Sequence, residues 1–165
     1  MIFGRDKEIK SQIINTGKKL ADLRLVAATS GNLSARVNED TILITATGTS
    51  LGNLKEDDII KVDITKEETG GRLSTEFPLH RLVYKNFSAK TVIHCHPPLV
   101  NGYFAVYSEL KALTFESRIY LGNVPVVPQE TPSVTKPQLV IEALRTLSPT
   151  SLKKDLIWLM RWKRR

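Results

Sequence analysis

The sequence is poor in cysteine and histidine and has no long apolar run. Its single cysteine, Cys95, has no partner for a disulfide within the chain. That excludes a disulfide-stapled scaffold and makes a reducing, cytoplasmic setting the expectation. No apolar stretch approaches the roughly 18 residues needed to span a bilayer, and the opening MIFGRDKEIK turns charged too early for a signal peptide. Neither G-x-x-x-x-G-K-[ST] nor G-x-G-x-x-G occurs, so nucleotide binding is not indicated. What is present is ordinary for a soluble globular chain: 165 residues, 41% hydrophobic and 25% charged, enough for one domain with a sizeable core.

The formal net charge is +7, yet five of those charges belong to residues 151–165, where Lys153, Lys154, Arg161, Lys163, Arg164 and Arg165 are set against Asp155 alone. The basic balance is therefore a property of the tail, and neither nucleic acid nor membrane is expected as a partner of the body. Within the tail, Leu152, Leu156, Leu159 and Met160 could share one helical face. A basic amphipathic helix for a membrane surface or nucleic acid stands there against a frayed, positively charged terminus.

Along the chain, Ile9, Ile13, Leu20 and Leu23 recur at helical spacing and predict an amphipathic helix over residues 6–24. Strands are predicted at 41–45 (TILIT), 59–64 (IIKVDI), 91–96 (TVIHCH, stopped by Pro97-Pro98) and 124–127. A helix over 76–87, capped by Ser74 or Thr75, places Leu79, Leu82 and Val83 on one side. Further helices are expected near 98–107 and 136–147. Strands and helices alternate without repeats, linkers or low-complexity stretches, which reads as a single α/β domain.

The sharpest chemical feature is His94-Cys95-His96. On a strand, alternate residues share a face, so the two imidazoles project side by side while Cys95 turns away into the core. Such a pair can hold one divalent ion, zinc above all, or be two structural histidines satisfied by hydrogen bonds. Glu76, 18 residues earlier, suits a general base near that ion, or an acidic residue favoured by the dipole of a first helical turn. His80 lies one turn after Glu76 and is read as orienting or packing, not ligating. Three turns, Ser30-Gly31-Asn32, Thr47-Gly48-Thr49 and Ser74-Thr75, offer hydroxyls and exposed backbone N–H groups of the kind a phosphate needs. Taken singly, each also serves as a plain turn or cap.

Taken in order, Thr29-Ser30-Gly31-Asn32-Leu33-Ser34, Ile44-Thr45-Ala46-Thr47-Gly48, Ser74-Thr75-Glu76 with His80, and Val92-Ile93-His94-Cys95-His96-Pro97 resemble the class II aldolase/adducin family. The likeness runs from about residue 6 to about residue 147 and is nearest to the L-fuculose-1-phosphate aldolases. It implies a three-layer α/β fold with a central, largely antiparallel sheet flanked by helices, where alternation alone would suggest a parallel one. It also implies a homotetramer acting on a small-molecule sugar phosphate in carbohydrate metabolism. By that resemblance, Asn32, Thr47, Gly48, Ser74 and Thr75 bind the substrate phosphate, His94 and His96 bind zinc, and Glu76 is the catalytic acid/base. Glutamate at that position resembles the aldolases, whereas the family's epimerases carry aspartate. The implied reaction is zinc-dependent aldol cleavage of a ketose 1-phosphate to dihydroxyacetone phosphate and an aldehyde.

The chain departs from the family pattern after Leu147. The family's third zinc histidine, in a strand ending like N-H-G, has no counterpart, since no histidine follows His96. The family's final strand and helix are also not expected here. Residues 1–150 therefore read as an aldolase/adducin-like domain incomplete at its C-terminal end, and 151–165 as an atypical basic tail, like a truncated or frame-shifted end. Two protein ligands hold zinc less firmly than the three of a typical catalytic site. The alternatives are a related sugar-phosphate 4-epimerase, a methylthioribulose-phosphate dehydratase, or a non-catalytic adducin-like interaction domain.

Overall fold

The computed structural model describes residues 2–67, 70–110, 114–120, 124–129, 133–146 and 159–162. The chain forms two compact units, Met1–Pro98 and Leu99–Arg165.

The first unit is built on an antiparallel four-stranded sheet. Helix α1 (Ile2–Asp22) precedes strands β1 (Asn32–Arg36), β2 (Thr41–Thr45) and β3 (Ile59–Asp63). Helix α2 (Phe77–Asn86) and strand β4 (Thr91–His94) complete it, with short 3-10 turns at Leu51–Asn53 and Glu56–Asp58. The strand order is β3-β2-β1-β4, and all three pairings are antiparallel. A central antiparallel sheet with helices bears out the architecture implied by the family resemblance, not the parallel one suggested by alternation.

Strand alternation divides this sheet into two chemically different faces. Leu33, Leu43 and Ile59 join Ile13 of α1, Val26, Val37, Leu51 and Leu54 in one apolar cluster, with Ala35 and Cys95 packed against it. Lys61, on the same face, bonds Asp6 of α1 at 2.6 Å. The close seating of α1 depends on Gly17, where a β-carbon would collide with the Leu51 carbonyl. The opposite face carries Asn32 and Ser34 of β1, paired with His94 and Val92 of β4. Ser34 meets His80 and Tyr84 of α2 there. Both faces are buried: the second also holds Ile42, Ile44, Val62 and Val92, and it alone carries the row of buried polar side chains.

Local differences from the predicted elements have local causes. Helix α2 starts at Phe77, one residue later than the sequence suggests, with Glu76 as its N-cap and no side-chain cap bond. Ser74 still serves this end: its carbonyl accepts from Phe77 N–H at 3.0 Å and its hydroxyl from Glu76 N–H at 3.2 Å. Leu79 and Val83 are buried, as the spacing predicts. Strand β4 ends at His94, short of His96, because the prolines at 97 and 98 cannot extend a ladder and bias the residue before them.

The second unit comprises α3 (Pro98–Val106, whose first residue belongs to the first unit), α4 (Phe115–Tyr120), β5 (Val126–Gln129), α5 (Pro137–Arg145) and β6 (Leu159–Trp162). Helix α5 buries Val140, Ile141 and Leu144. Strand β5 lies two residues beyond its predicted place and pairs in parallel with β6. Leu159 and Met160 are therefore in a strand and do not share the helical face considered for the tail. The Leu159–Trp162 run, apolar and aromatic apart from Arg161, suits strand pairing, and its four residues pair with Val126–Gln129. Residues 151–158 and 163–165 of the tail lie outside the described residues. Among the described residues, no helix is long and apolar enough to cross a membrane.

Candidate active site

The candidate site lies at the end of the sheet where β1 begins and β4 finishes. Antiparallel register places Asn32 directly opposite His94. Asn32 Nδ2 is 3.3 Å from His94 Nδ1. Although His96 lies beyond the strand, its ring remains beside that of His94, with centroids 4.6 Å apart. Cys95 faces the α1 side, as alternation predicts, and burial pushes its thiol up to about 11. It is a half-buried, protonated thiol packed against the core at neutral pH, unlike a reactive thiolate.

Electrostatics keep the imidazoles neutral. Burial pulls His94 down to about 3, helped by its neighbours His96 and His80. Burial also lowers His96, and it takes the fully buried His80 to about 3. A neutral ring retains the lone pair that a metal requires. The donor chemistry at 94 and 96 therefore fits a divalent ion, and since Nδ1 of His94 faces Asn32, Nε2 is the nitrogen that would meet it. Among the described residues, however, no three His, Cys, Asp or Glu side chains gather into a metal-holding group. The buried Glu76 is not a third member of the histidine pair.

Four hydrogen bonds continue inward from this pair. His80 Nε2 meets Asn32 Oδ1 at 2.5 Å, and His80 Nδ1 meets Ser34 Oγ at 2.6 Å. Ser34 Oγ then meets Tyr84 OH at 2.8 Å, and the row ends at His94 through Asn32. Arg36 fixes the far end. Its Nη2 donates to the Tyr84 carbonyl at 2.6 Å, its Nε donates to Ala89 O, and its guanidinium lies 4.8 Å from the centre of the Tyr84 ring. Burial raises the Tyr84 phenol, which stays protonated.

Backbone bonds draw the three candidate phosphate turns toward the same region. Gly31 has φ +83°, and a β-carbon there would approach the His94 carbonyl to 2.7 Å, so the first turn is pressed onto the end of β4. Ser30 closes that turn by accepting from Ala27 N–H at 3.0 Å. Thr45 Oγ1 accepts from Leu33 N–H at 3.1 Å, joining the second turn's strand to β1. Thr47 N–H donates to Arg72 O at 2.9 Å, joining that turn to the segment leading into Ser74. This bond takes the Thr47 amide, so its exposed hydroxyl is the group left for a ligand. Gly48, at φ +72°, faces open space. Ser74 is buried and Thr75 is exposed.

Ser34 and Tyr84 did not stand out in the sequence, although a signal was present. Glu76, His80 and Tyr84 recur every four residues as a polar stripe on α2, and Asn32 and Ser34 alternate on β1. Two polar stripes at matching helical and strand periods would have paired them.

Comparison with known proteins agrees with this architecture. The profile of the class II aldolase and adducin N-terminal domain matches residues 11–160, and the chain belongs to that family. It is 34% identical over 119 residues to an L-fuculose phosphate aldolase of Methanocaldococcus jannaschii, covering 72% of this chain and 65% of the relative. It is 36% identical over 135 residues to a methylthioribulose-1-phosphate dehydratase of Methylococcus capsulatus, covering 73% and 65%. The chain thus spans about two thirds of the length of these curated relatives. The crystal structure of L-fuculose-1-phosphate aldolase from Thermus thermophilus superposes with a TM-score of 0.70 at 27% identity, covering 90% of this chain and 73% of that one.

Proposed function

We propose that the chain acts in aldol cleavage of a ketose 1-phosphate, yielding dihydroxyacetone phosphate and an aldehyde. The observation that carries this reading is the pair of neutral imidazoles, His94 and His96, with ring centres 4.6 Å apart at the end of β4, where His94 pairs with Asn32. The identity to L-fuculose phosphate aldolases supports it.

His94 and His96 would hold zinc, which when bound supplies Lewis acidity toward the ketose carbonyl and the charge that develops beside it. Glu76 moves the proton. As the C3–C4 bond breaks, the C4 hydroxyl gives its proton to the Glu76 carboxylate and becomes the aldehyde carbonyl; the bonding pair stays on C3, and the same carboxyl then returns that proton to C3 of the three-carbon fragment. Burial of Glu76 keeps bulk water from competing for that transfer. Ser30, Gly31, Asn32, Thr47, Gly48, Ser74 and Thr75 would hold the phosphate and so fix the substrate's register. In this reading residues 1–150 carry the chemistry, residues 151–165 form a basic tail, and the active form is a cytoplasmic homotetramer.

A second reading, dehydration of methylthioribulose 1-phosphate, draws on the 36% identity to such a dehydratase. Product analysis of the zinc-supplemented protein on fuculose 1-phosphate, methylthioribulose 1-phosphate and ribulose 5-phosphate separates these readings. Dihydroxyacetone phosphate from the first substrate supports aldol cleavage. Loss of water from the second substrate alone supports the dehydratase. Epimerisation of the third points to a 4-epimerase, and no turnover with no bound metal indicates an adducin-like interaction domain.

A further inference from the structure

We infer that Asn32, His80, Ser34 and Tyr84 are positioning residues: their buried row of hydrogen bonds fixes the tautomer and ring orientation of His94. The inference rests on the reading of His94 as a metal ligand, and it gives Asn32 a task distinct from holding phosphate.

The argument is one of donor and acceptor counting. All five side chains in the row are buried. Each neutral imidazole owns one N–H and one lone pair, and the amide offers its oxygen to one neighbour and its nitrogen to the other. The row Tyr84–Ser34–His80–Asn32–His94 can therefore run in only two directions, and in the second the Tyr84 O–H turns out of the row. In one, Tyr84 donates to Ser34, Ser34 to His80 Nδ1, His80 Nε2–H to Asn32 Oδ1, and Asn32 Nδ2 to His94 Nδ1. His94 then carries its proton on Nε2. In the other, the amide is turned over, His94 Nδ1–H donates to its oxygen and its nitrogen donates to His80 Nε2. His80 Nδ1–H then donates to Ser34, and Ser34 to Tyr84.

Only the second direction leaves the lone pair of His94 on Nε2, the ring nitrogen turned away from Asn32, for a metal. Both directions hold the same number of protons: each imidazole keeps one, the amide turns over and the two hydroxyls rotate. Metal capture at His94 is thereby coupled to the orientation of a hydroxyl two residues further along β1 and of another on α2. The 2.5 to 2.8 Å contacts in the inner part of the row leave little room for mixed arrangements, because a mismatched link would put two donors or two lone pairs face to face.

The test uses the full chain. Nitrogen-15 spectra of the metal-free wild type report the tautomers of His80 and His94. Zinc affinity is measured by chelator competition for the wild type, Ser34→Ala, Tyr84→Phe, His80→Gln, His80→Phe and His94→Ala/His96→Ala. The inference expects one defined tautomer on each ring, with both rings switching together when zinc is added. It expects zinc affinity about 10-fold or more weaker in Ser34→Ala and His80→Phe, with partial recovery in His80→Gln, whose amide still reaches Asn32. Tyr84→Phe, the mildest change, guards against misfolding of the others and should shift the His94 tautomer signal. Averaged tautomers in the wild type, or variants that lose thermal stability while keeping wild-type zinc affinity, overturn it. If those variants bind zinc normally and only the double histidine variant loses it, the row fails and the metal reading stands. If the double variant binds as well as the wild type, both fail.

Discussion

Asn32 and His94 face one another across the β1–β4 ladder, with Nδ2 of one 3.3 Å from Nδ1 of the other. That single pairing joins the first phosphate-type turn to the metal-type histidines, so the two halves of the candidate site are built into one strand register.

Replacing both His94 and His96 by alanine should abolish metal binding while leaving the fold intact. The wild type is expected to purify with about one zinc per chain, and the double variant with essentially none. Elemental analysis beside a circular dichroism spectrum reads both. Equal metal in the two proteins would place the ion elsewhere.

Glu76→Gln separates proton transfer from metal holding. Glu76 belongs to no three-ligand group among the described residues, so its variant should retain zinc at wild-type affinity. Turnover should fall by roughly 10²–10⁴-fold, the usual range for a positioned acid/base. Loss of zinc in Glu76→Gln would instead make the carboxylate a ligand.

Stability should fall as the solution is acidified below pH 6.5. In the unfolded chain His80 takes up a proton near 6.5, whereas burial delays that in the folded protein to about 3. Between those values the unfolded state binds more protons, so unfolding free energy rises with pH through the window and is flat above it. The slope from one such histidine is up to about 1.4 kcal/mol per pH unit. Urea unfolding of the wild type and His80→Gln at pH 7, 6 and 5 measures it. Parallel losses in both proteins would remove His80 from the account.

Two glycine substitutions should differ in cost. Gly31→Ala meets both an unfavourable φ of +83° and the His94 carbonyl at 2.7 Å, and should cost about 2–3 kcal/mol or more. Gly48→Ala faces only the conformational penalty, since nothing lies within 4 Å, and should cost about 1–2 kcal/mol. Denaturant midpoints decide the order. In the proposed function Gly48→Ala should nonetheless raise KM, because its methyl group would enter the space held for phosphate.

Much of this architecture was legible in the chain because local and global signals agreed. TILIT forms β2 over the predicted residues, since β-branched and apolar residues in its central register are buried. The side-by-side histidines follow from strand alternation even though His96 lies past the strand's end. The order of the sheet was not legible by itself, because alternating helices and strands fit a parallel arrangement equally well. Antiparallel pairing depends on long-range register, which the family resemblance supplied. The row from Asn32 to Tyr84 was hidden for a related reason: Ser34 and His80 are 46 residues apart, and no spacing rule joins them until α2 is laid on the sheet.

The two-faced sheet has an evolutionary corollary. In β1, even-numbered Asn32 and Ser34 serve the site while odd-numbered Leu33 and Ala35 serve the core. Insertion or deletion of one residue within this strand would exchange those roles, sending an amide into oil and a leucine to the histidines. The candidate site and the core here share one reading frame of side chains. Drift in length can therefore accumulate in the turns but not in the five residues from Asn32 to Arg36.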